Sequence, residues 1–315
     1  MTSSDRLRRP APLFPTGSAA VLAISSPSEK ERIVAAQENL QKRGMHVTLA
    51  ENLFARVNGN PTDRHYLAGS DGQRLEEINR FLRAPEWDAF MFSRGGYGAM
   101  RILDAIDYHA IARNPRPIIG YSDITALHQA VAVRTGISTF HGPMLNFDFF
   151  TGLSPLVDRW FWDMLSGAAP LTWDFDEEQV LSEGHGEGIL FGGCLSLTTS
   201  LMGTPFDYWV DDGIWFWEDV SEPLYKLDRM LTHLRLSGRF QSLRGVMIGK
   251  LKDCGTPGEI DSLLSQFFGD AGIPVVRDLP FGHHGDNLLL PIGAVAILDT
   301  TSTTLQFPEP AVAAH

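Results

Sequence analysis

Ser122 stands where a side chain could do chemistry. The stretch Pro117-Ile118-Ile119-Gly120-Tyr121-Ser122-Asp123-Ile124-Thr125 is an apolar run that ends in Gly and passes directly into a pattern with Ile124, Leu127 and Val131 at helical spacing and Gly136 as a stop. Strand, sharp turn and helix in that order make a nucleophile elbow: the turn lifts the hydroxyl clear of the sheet, and the amides opening the helix face any negative charge that develops beside it. Gly120-Tyr121-Ser122-Asp123-Ile124 lacks the second Gly of G-x-S-x-G, so Ser122 also has an ordinary reading as the N-cap of the helix. Ahead of it lies a Gly-dense loop, Ser93-Arg94-Gly95-Gly96-Tyr97-Gly98, directly after an apolar run. Its amides, with that of Asp123, suit an oxyanion hole beside Ser122. The same loop also reads as a phosphate cradle, although it matches neither G-x-G-x-x-G nor a P-loop, or as a tight turn.

A serine nucleophile needs a base, and the chain has ten histidines. His283 lies in Pro280-Phe281-Gly282-His283-His284-Gly285-Asp286-Asn287, a loop with little room for helix or strand, where catalytic groups concentrate. His141, in Phe140-His141-Gly142-Pro143-Met144, is the second candidate; His128 and His233 fall inside helical patterns and read as structural. His283, His284 and Asp286 could also be taken for a metal site, but that spacing lacks a third strong ligand, and no metal is expected. Glu218 closes the aromatic run Trp215-Phe216-Trp217-Glu218-Asp219, an unusual place for a charge.

The elements that must position these residues alternate. Ala19 to Ile24, Met45 to Leu49 and Ala89 to Phe92 read as buried strands. Helices follow, one opened by a Ser28 and Glu31 capping box, one capped by Ser70 with Leu75, Ile78 and Leu82 on a face, and one over Ala99 to Ile106. A polar loop spans Val57 to Pro61. Such βα units imply an α/β fold: an N-terminal doubly wound, mostly parallel sheet, flavodoxin- or Rossmann-like, whose ligands bind at the carboxyl ends of the strands. A loose arm over 1–16 precedes this domain at 17–165. A Trp-rich helix from Ser154 to Leu165 closes it, and a linker over 166–185 leads to a β-rich α+β domain at 186–315. That second domain is expected to be more antiparallel, with one or two helices, of which Leu224, Leu227, Leu231 and Leu234 mark one.

Composition bounds the function. The 315 residues, 43% hydrophobic, suffice for two cores. A net charge of −12 repels phosphate backbones, so no nucleic-acid partner is expected. Cys194 and Cys254 encode no disulfide framework, which fits a reducing compartment. No run of 18 apolar residues occurs, so the expectation is a soluble, cytoplasmic protein without a membrane partner.

Several blocks then combine in one order: Arg94-Gly95-Gly96-Tyr97-Gly98, Gly120-Tyr121-Ser122-Asp123, His141-Gly142-Pro143-Met144, Glu218-Asp219 with Tyr225, Asp228-Arg229-Met230-Leu231, and Gly282-His283 with Asn287 and Pro291-Ile292-Gly293. Tyr66-Leu67-Ala68-Gly69 and Asp71 precede them. The chain resembles the LD-carboxypeptidase family of serine peptidases, whose cytoplasmic members act as muramoyltetrapeptide carboxypeptidases and which includes microcin C immunity-type hydrolases. One departure is Cys194, where such proteins usually carry Asn. The resemblance implies a triad of Ser122 as nucleophile, His283 as base and then acid, and Glu218 as the orienting carboxylate. The oxyanion would be held by the amides of Gly95, Gly96 and Asp123, and Arg94, Tyr97, Tyr121 and His141 become candidates for contacting substrate. It also implies a murein tetrapeptide substrate, no metal or organic cofactor, and a homodimer. Hydrolysis of peptidyl or aminoacyl adenylate analogues is the rival within the family. A non-catalytic nucleotide-binding module is the rival outside it, and it leaves Glu218 and Gly282-His283 unexplained.

Overall fold

The computed structural model describes residues 7–56 and 66–314, so the expected loop at 57–61 and residues 1–6 of the expected arm lie outside it. In the first half, β1 (Ser18–Leu22), α1 (Lys30–Lys42), β2 (His46–Leu49), α2 (Asp71–Arg83), β3 (Ala89–Phe92), α3 (Tyr108–Arg113), β4 (Ile118–Gly120), α4 (Thr125–Thr135), β5 (Thr139–His141) and α5 (Pro155–Ser166) follow one another. Strands β2-β1-β3-β4-β5 pair in parallel in that spatial order. β3 and β4 are buried along their whole length, as strands covered on both faces must be. Ser70 and Gln73 close a full capping box on α2, which buries Ile78, Phe81 and Leu82. α4, the helix behind Ser122, is buried from Thr125 to Ala132 and packs on both halves of the chain.

The second half holds β6 (Leu171–Asp174), β7 (Val180–Ser182), β8 (His185–Cys194), α6 (Leu195–Leu201), β9 (Ile214–Glu218), α7 (Leu224–Leu236), β10 (Gly245–Gly249), α8 (Pro257–Phe268), β11 (Val275–Leu279), β12 (Leu290–Ile292), β13 (Val295–Asp299) and β14 (Thr304–Phe307). Its eight-stranded sheet runs β6-β14-β13-β8-β9-β10-β11-β7. The α/β architecture with a second β-rich unit stands, but the second sheet is mixed. β8, β9, β10 and β11 are parallel at its centre, and antiparallel pairs flank them. Three helices rather than one or two serve it, because α7 and α8 are the crossovers that parallel neighbours require.

Five local expectations differ from the structure. The stretch 166–185 is not free chain, since β6 and β7 occupy opposite edges of the second sheet. β12 leaves the second half and joins the first sheet antiparallel to β5, so the chain crosses between the two units more than once. Residues 7–16 are docked: the Arg8 amide donates to Gly136 O at 2.7 Å, that of Leu13 to Leu165 O at 2.8 Å, and Leu13 is fully buried. Ser28 does not cap α1, whose cap is Glu29 without a side-chain bond, because the Ser28 hydroxyl is buried and its amide is committed to Leu53 O. At 99–106 two short 3₁₀ turns replace the expected helix, which forms instead at α3 under an Asp107 cap.

Candidate active site

Ser122 sits between β4 and α4 with φ of +61°, a left-handed conformation that a non-glycine residue keeps only where surrounding structure enforces it. Its side chain accepts no capping bond at the start of the helix, so the N-cap reading fails. Two contacts enforce the turn. Asp123, fully buried, accepts from Ser25 Oγ at 2.6 Å and from the Ala99 amide at 2.8 Å, tying the elbow to the end of β1 and to the Gly-dense loop. Gly95 packs directly on the serine: a Cβ there would lie 2.6 Å from Ser122 Cβ, 2.7 Å from its Oγ and 3.2 Å from the Asp123 amide nitrogen. The loop is braced from behind by buried Arg74, which donates to Ile24 O and, at 2.8 Å, to Gly98 O.

Across the groove, His283 Nε2 lies 3.1 Å from Ser122 Oγ and His283 Nδ1 lies 2.6 Å from Glu218 Oε2. Glu218 is the last residue of β9 and is fully buried, and its Oε2 also accepts the His283 amide at 3.3 Å. A buried carboxylate is tolerated when a hydrogen-bonded partner answers its charge, which His283 does here. Burial opposes the imidazolium, but the Glu218 charge and hydrogen bond, reinforced by Asp219 and Asp148, outweigh it and hold the His283 pKa above its usual value. The turn that delivers His283 needs glycine. Gly282 has φ of +88°, and a Cβ there would stand 2.4 Å from Glu218 Cγ. Buried Asn287 closes the turn by accepting the Gly282 amide at 2.9 Å.

The other sequence candidates separate. Tyr121 packs edge-on to His283, ring centroids 4.9 Å apart, and burial together with the Asp148 and Glu218 charges pushes its phenol pKa well up. Arg94 donates to Pro27 O at 3.2 Å and lies over the Phe147 ring, while Tyr97 is exposed against Tyr66. Gly96 is held by close approach to Ser26, whose Oγ would lie 2.1 Å from an added Cβ. His141 is corrected: it is wholly buried beneath Tyr121, Phe216 and Phe281, both ring nitrogens lack a partner, and burial followed by the neighbouring His128 and His283 drives its pKa well down. It can serve neither as a base at Ser122 nor as a substrate contact. His284 turns away to Lys250 Nζ at 3.2 Å and to the Asp286 amide at 3.3 Å, so it does not converge with His283 on a common point. Cys194 is buried with Sγ 3.1 Å from Ser196 Oγ, and its amide donates to Thr125 Oγ1 at 3.0 Å, which pins the end of β8 to the start of α4.

Beside His283 opens a cavity of about 450 Å³ walled by Tyr121, Phe147, Asp148, Phe150, Lys252 and Arg32, among others. That volume suits a small ligand. Asp148, Phe147 and Phe150 escaped the sequence reading, although Phe147-Asp148-Phe149 carries the same signal as Glu218, a charge set among aromatics. A larger cleft of about 640 Å³ between α7 and α8 takes in Tyr225 and Asp228 but none of Ser122, Glu218 and His283, so the reacting groups rather than size identify the site.

Residues 19–142 match the LD-carboxypeptidase N-terminal domain and residues 187–298 match the LD-carboxypeptidase C-terminal domain. The murein tetrapeptide carboxypeptidase of Pseudomonas aeruginosa is 32% identical over an alignment covering 94% of this chain and 96% of that one. A solved structure of the microcin C7 self-immunity protein MccF, known from Escherichia coli, superposes with a TM-score of 0.87 at 25% identity, over 97% of this chain and 99% of that one. The muramoyltetrapeptide carboxypeptidase of Oxalobacter formigenes gives a TM-score of 0.78 at 27% identity, over 92% and 97%. With both domain matches in order along one chain, and the blocks around Ser122, Glu218 and His283 inside them, the protein belongs to the LD-carboxypeptidase family of peptidases.

Proposed function

We propose that the protein is a serine carboxypeptidase that releases the terminal D-Ala from murein tetrapeptides by cutting after the L-centre of a diamino acid, in cytoplasmic peptidoglycan recycling. The observation that carries this reading is the hydrogen-bonded line Ser122 Oγ, His283, Glu218, spanning 3.1 and 2.6 Å between two domains. His283 Nε2 takes the Ser122 proton as the oxygen attacks the scissile carbonyl, and Glu218 stabilises the imidazolium that results. In this reading the amides of Gly95, Gly96 and Asp123 receive the oxyanion; the close approach of Gly95, where a Cβ would lie 2.7 Å from Ser122 Oγ, supports that role for its loop. His283 then gives its proton to the leaving amine, and water enters by the reverse steps to free the acyl group.

The likeness to MccF supports a second reading, hydrolysis of a peptidyl or aminoacyl adenylate analogue by the same three residues. Mass spectrometry of a murein tetrapeptide and of an adenylate analogue, each incubated with the protein, separates the two. Conversion of the tetrapeptide to tripeptide plus alanine is expected, and cleavage of the adenylate alone would replace this reading with the second. The resemblance also carries a homodimer, which light scattering on the purified chain checks; a mass of one chain at working concentrations would refute it.

Two further results are expected. Gly95→Ala should cost about 100-fold or more in kcat, since the new methyl must displace Ser122 and a shift near 1 Å is enough for such a loss. A steady-state assay alongside a thermal melt checks this, and near-normal turnover would show that the loop does not abut the reacting oxygen. Chelators should leave the rate unchanged because the triad supplies its own base. Activity lost in chelator and restored by zinc would bring back the His283, His284 and Asp286 reading.

A further inference from the structure

Asp148 is a buried carboxyl beside the triad that takes no proton and makes no bond in the steps above, although its charge helps to hold the His283 pKa up. It lies in the π-helical turn Leu145–Phe149 and forms part of the wall of the cavity beside His283 while being 95% buried, that is, 5% exposed. Its Oδ2 accepts the Met144 amide at 2.9 Å, and the Asn287 side chain approaches it from the His283 turn. No Lys or Arg makes an ion pair with it among the described residues. The Arg and Lys side chains on the cavity wall are otherwise placed: Arg32 is paired with Glu29 at 2.9 Å and lies over the Phe147 and Phe150 rings, and Lys252 is exposed on a segment bridged to Val220. Burial pushes the Asp148 pKa up to about 7, outweighing the Met144 and Asp148 amides, the Asn287 side chain and the His283 charge, each of which favours the carboxylate. A protein keeps such a group facing a cavity at a cost in stability, and a ligand cation would remove that cost.

We propose that Asp148 is a specificity-determining residue that binds an ammonium group on the side chain of the substrate's diamino acid, with Phe147 and Phe150 enclosing the methylene stem. The proposal rests on the carboxypeptidase reading for the identity of the substrate but not for the binding itself. The geometry agrees with the division of labour in the cleft. His283 must be neutral to act as base, so during binding it cannot neutralise Asp148, and the substrate's own cation takes that place. The Arg32 charge on the cavity wall is answered by Glu29 at 2.9 Å, which weakens its repulsion of a ligand cation.

The test is calorimetric binding to the Ser122→Ala protein of two tetrapeptides that differ only at the third residue, one carrying lysine or diaminopimelate and the other norleucine. The ammonium peptide should bind tighter by a factor on the order of 30 or more, the scale for a charge pair out of water. In the Ser122→Ala, Asp148→Asn protein that ratio should fall to near one. Turnover of the ammonium peptide by the wild-type protein is measured in parallel. Equal affinities in the Ser122→Ala protein, or a preference that Asp148→Asn leaves in place, overturn the role of Asp148 whatever the turnover. A preference that depends on Asp148 without any turnover keeps Asp148 and overturns the carboxypeptidase reading, and absence of binding by either peptide overturns both.

Discussion

Ser122→Ala should abolish hydrolysis while leaving the fold and substrate binding in place. The substitution removes one oxygen from a half-buried side chain whose backbone is set by its neighbours, Asp123 through Ser25 and Ala99, and Gly95 from the facing loop. Losing the nucleophile of a triad costs kcat about 10⁵ to 10⁶, because the remaining members have nothing to activate. Alanine also tolerates the left-handed backbone at this position no better than serine, so the melting temperature should move little. Stopped and steady-state assays together with a peptide-binding titration check the point. A variant that binds normally and turns over at more than a few per cent would remove Ser122 from the chemistry.

Glu218→Gln should lower kcat by a factor on the order of 10³ to 10⁴ with little change in affinity, as for other triads whose carboxylate is made an amide. Glutamine fills the same space at the end of β9, but it can present its NH₂ to His283 Nδ1 and favour the tautomer in which Nε2 carries the proton and cannot accept one from Ser122. The pH profile gives this prediction a second signature. In the wild-type protein burial lowers the His283 pKa and Glu218 raises it, with the net result above the usual value, so kcat/KM should rise with pH through that raised pKa as the imidazolium loses its proton. Removing the Glu218 charge lowers the folded pKa, and the acidic limb of the residual activity should move to lower pH. A limb that stays in place would mean that another group controls it, and Asp219, whose own pKa burial and Glu218 raise to about 6, would be tested next.

Local order accounts for what the sequence made legible. β3 is a continuous apolar run bounded by polar residues, α5 has Ser154 as cap and Pro155 at its first position, and α7 shows Leu227, Leu231 and Leu234 at helical spacing. The Ser122 corner could be read for the same reason, as could the isolated charge of Glu218. β6 and β7 were hidden because edge strands of mixed exposure owe their form to partners more than 90 residues away, β14 and β11. The crossing of β12 into the first sheet is a long-range choice of the same kind. α8 was readable and missed: Thr256-Pro257-Gly258-Glu259 is a capping box with Pro at the first turn, and the structure forms both of its bonds. His141 shows the converse limit, since its block in the sequence says nothing of the aromatic layer that seals it from the cleft. Asp148 needed the fold, because only the packing of its turn against the His283 loop makes a charge among aromatics face the site.

The central claim is that Ser122 carries the acyl half of a cleaved tetrapeptide. It is tested most directly by mass spectrometry of a murein tetrapeptide turned over in the presence of hydroxylamine, which intercepts an acyl-enzyme by displacing the serine oxygen. The account predicts free alanine and, beside the tripeptide, its hydroxamate with the wild-type protein, and neither product with Ser122→Ala. Alanine released at the wild-type rate by Ser122→Ala would contradict it.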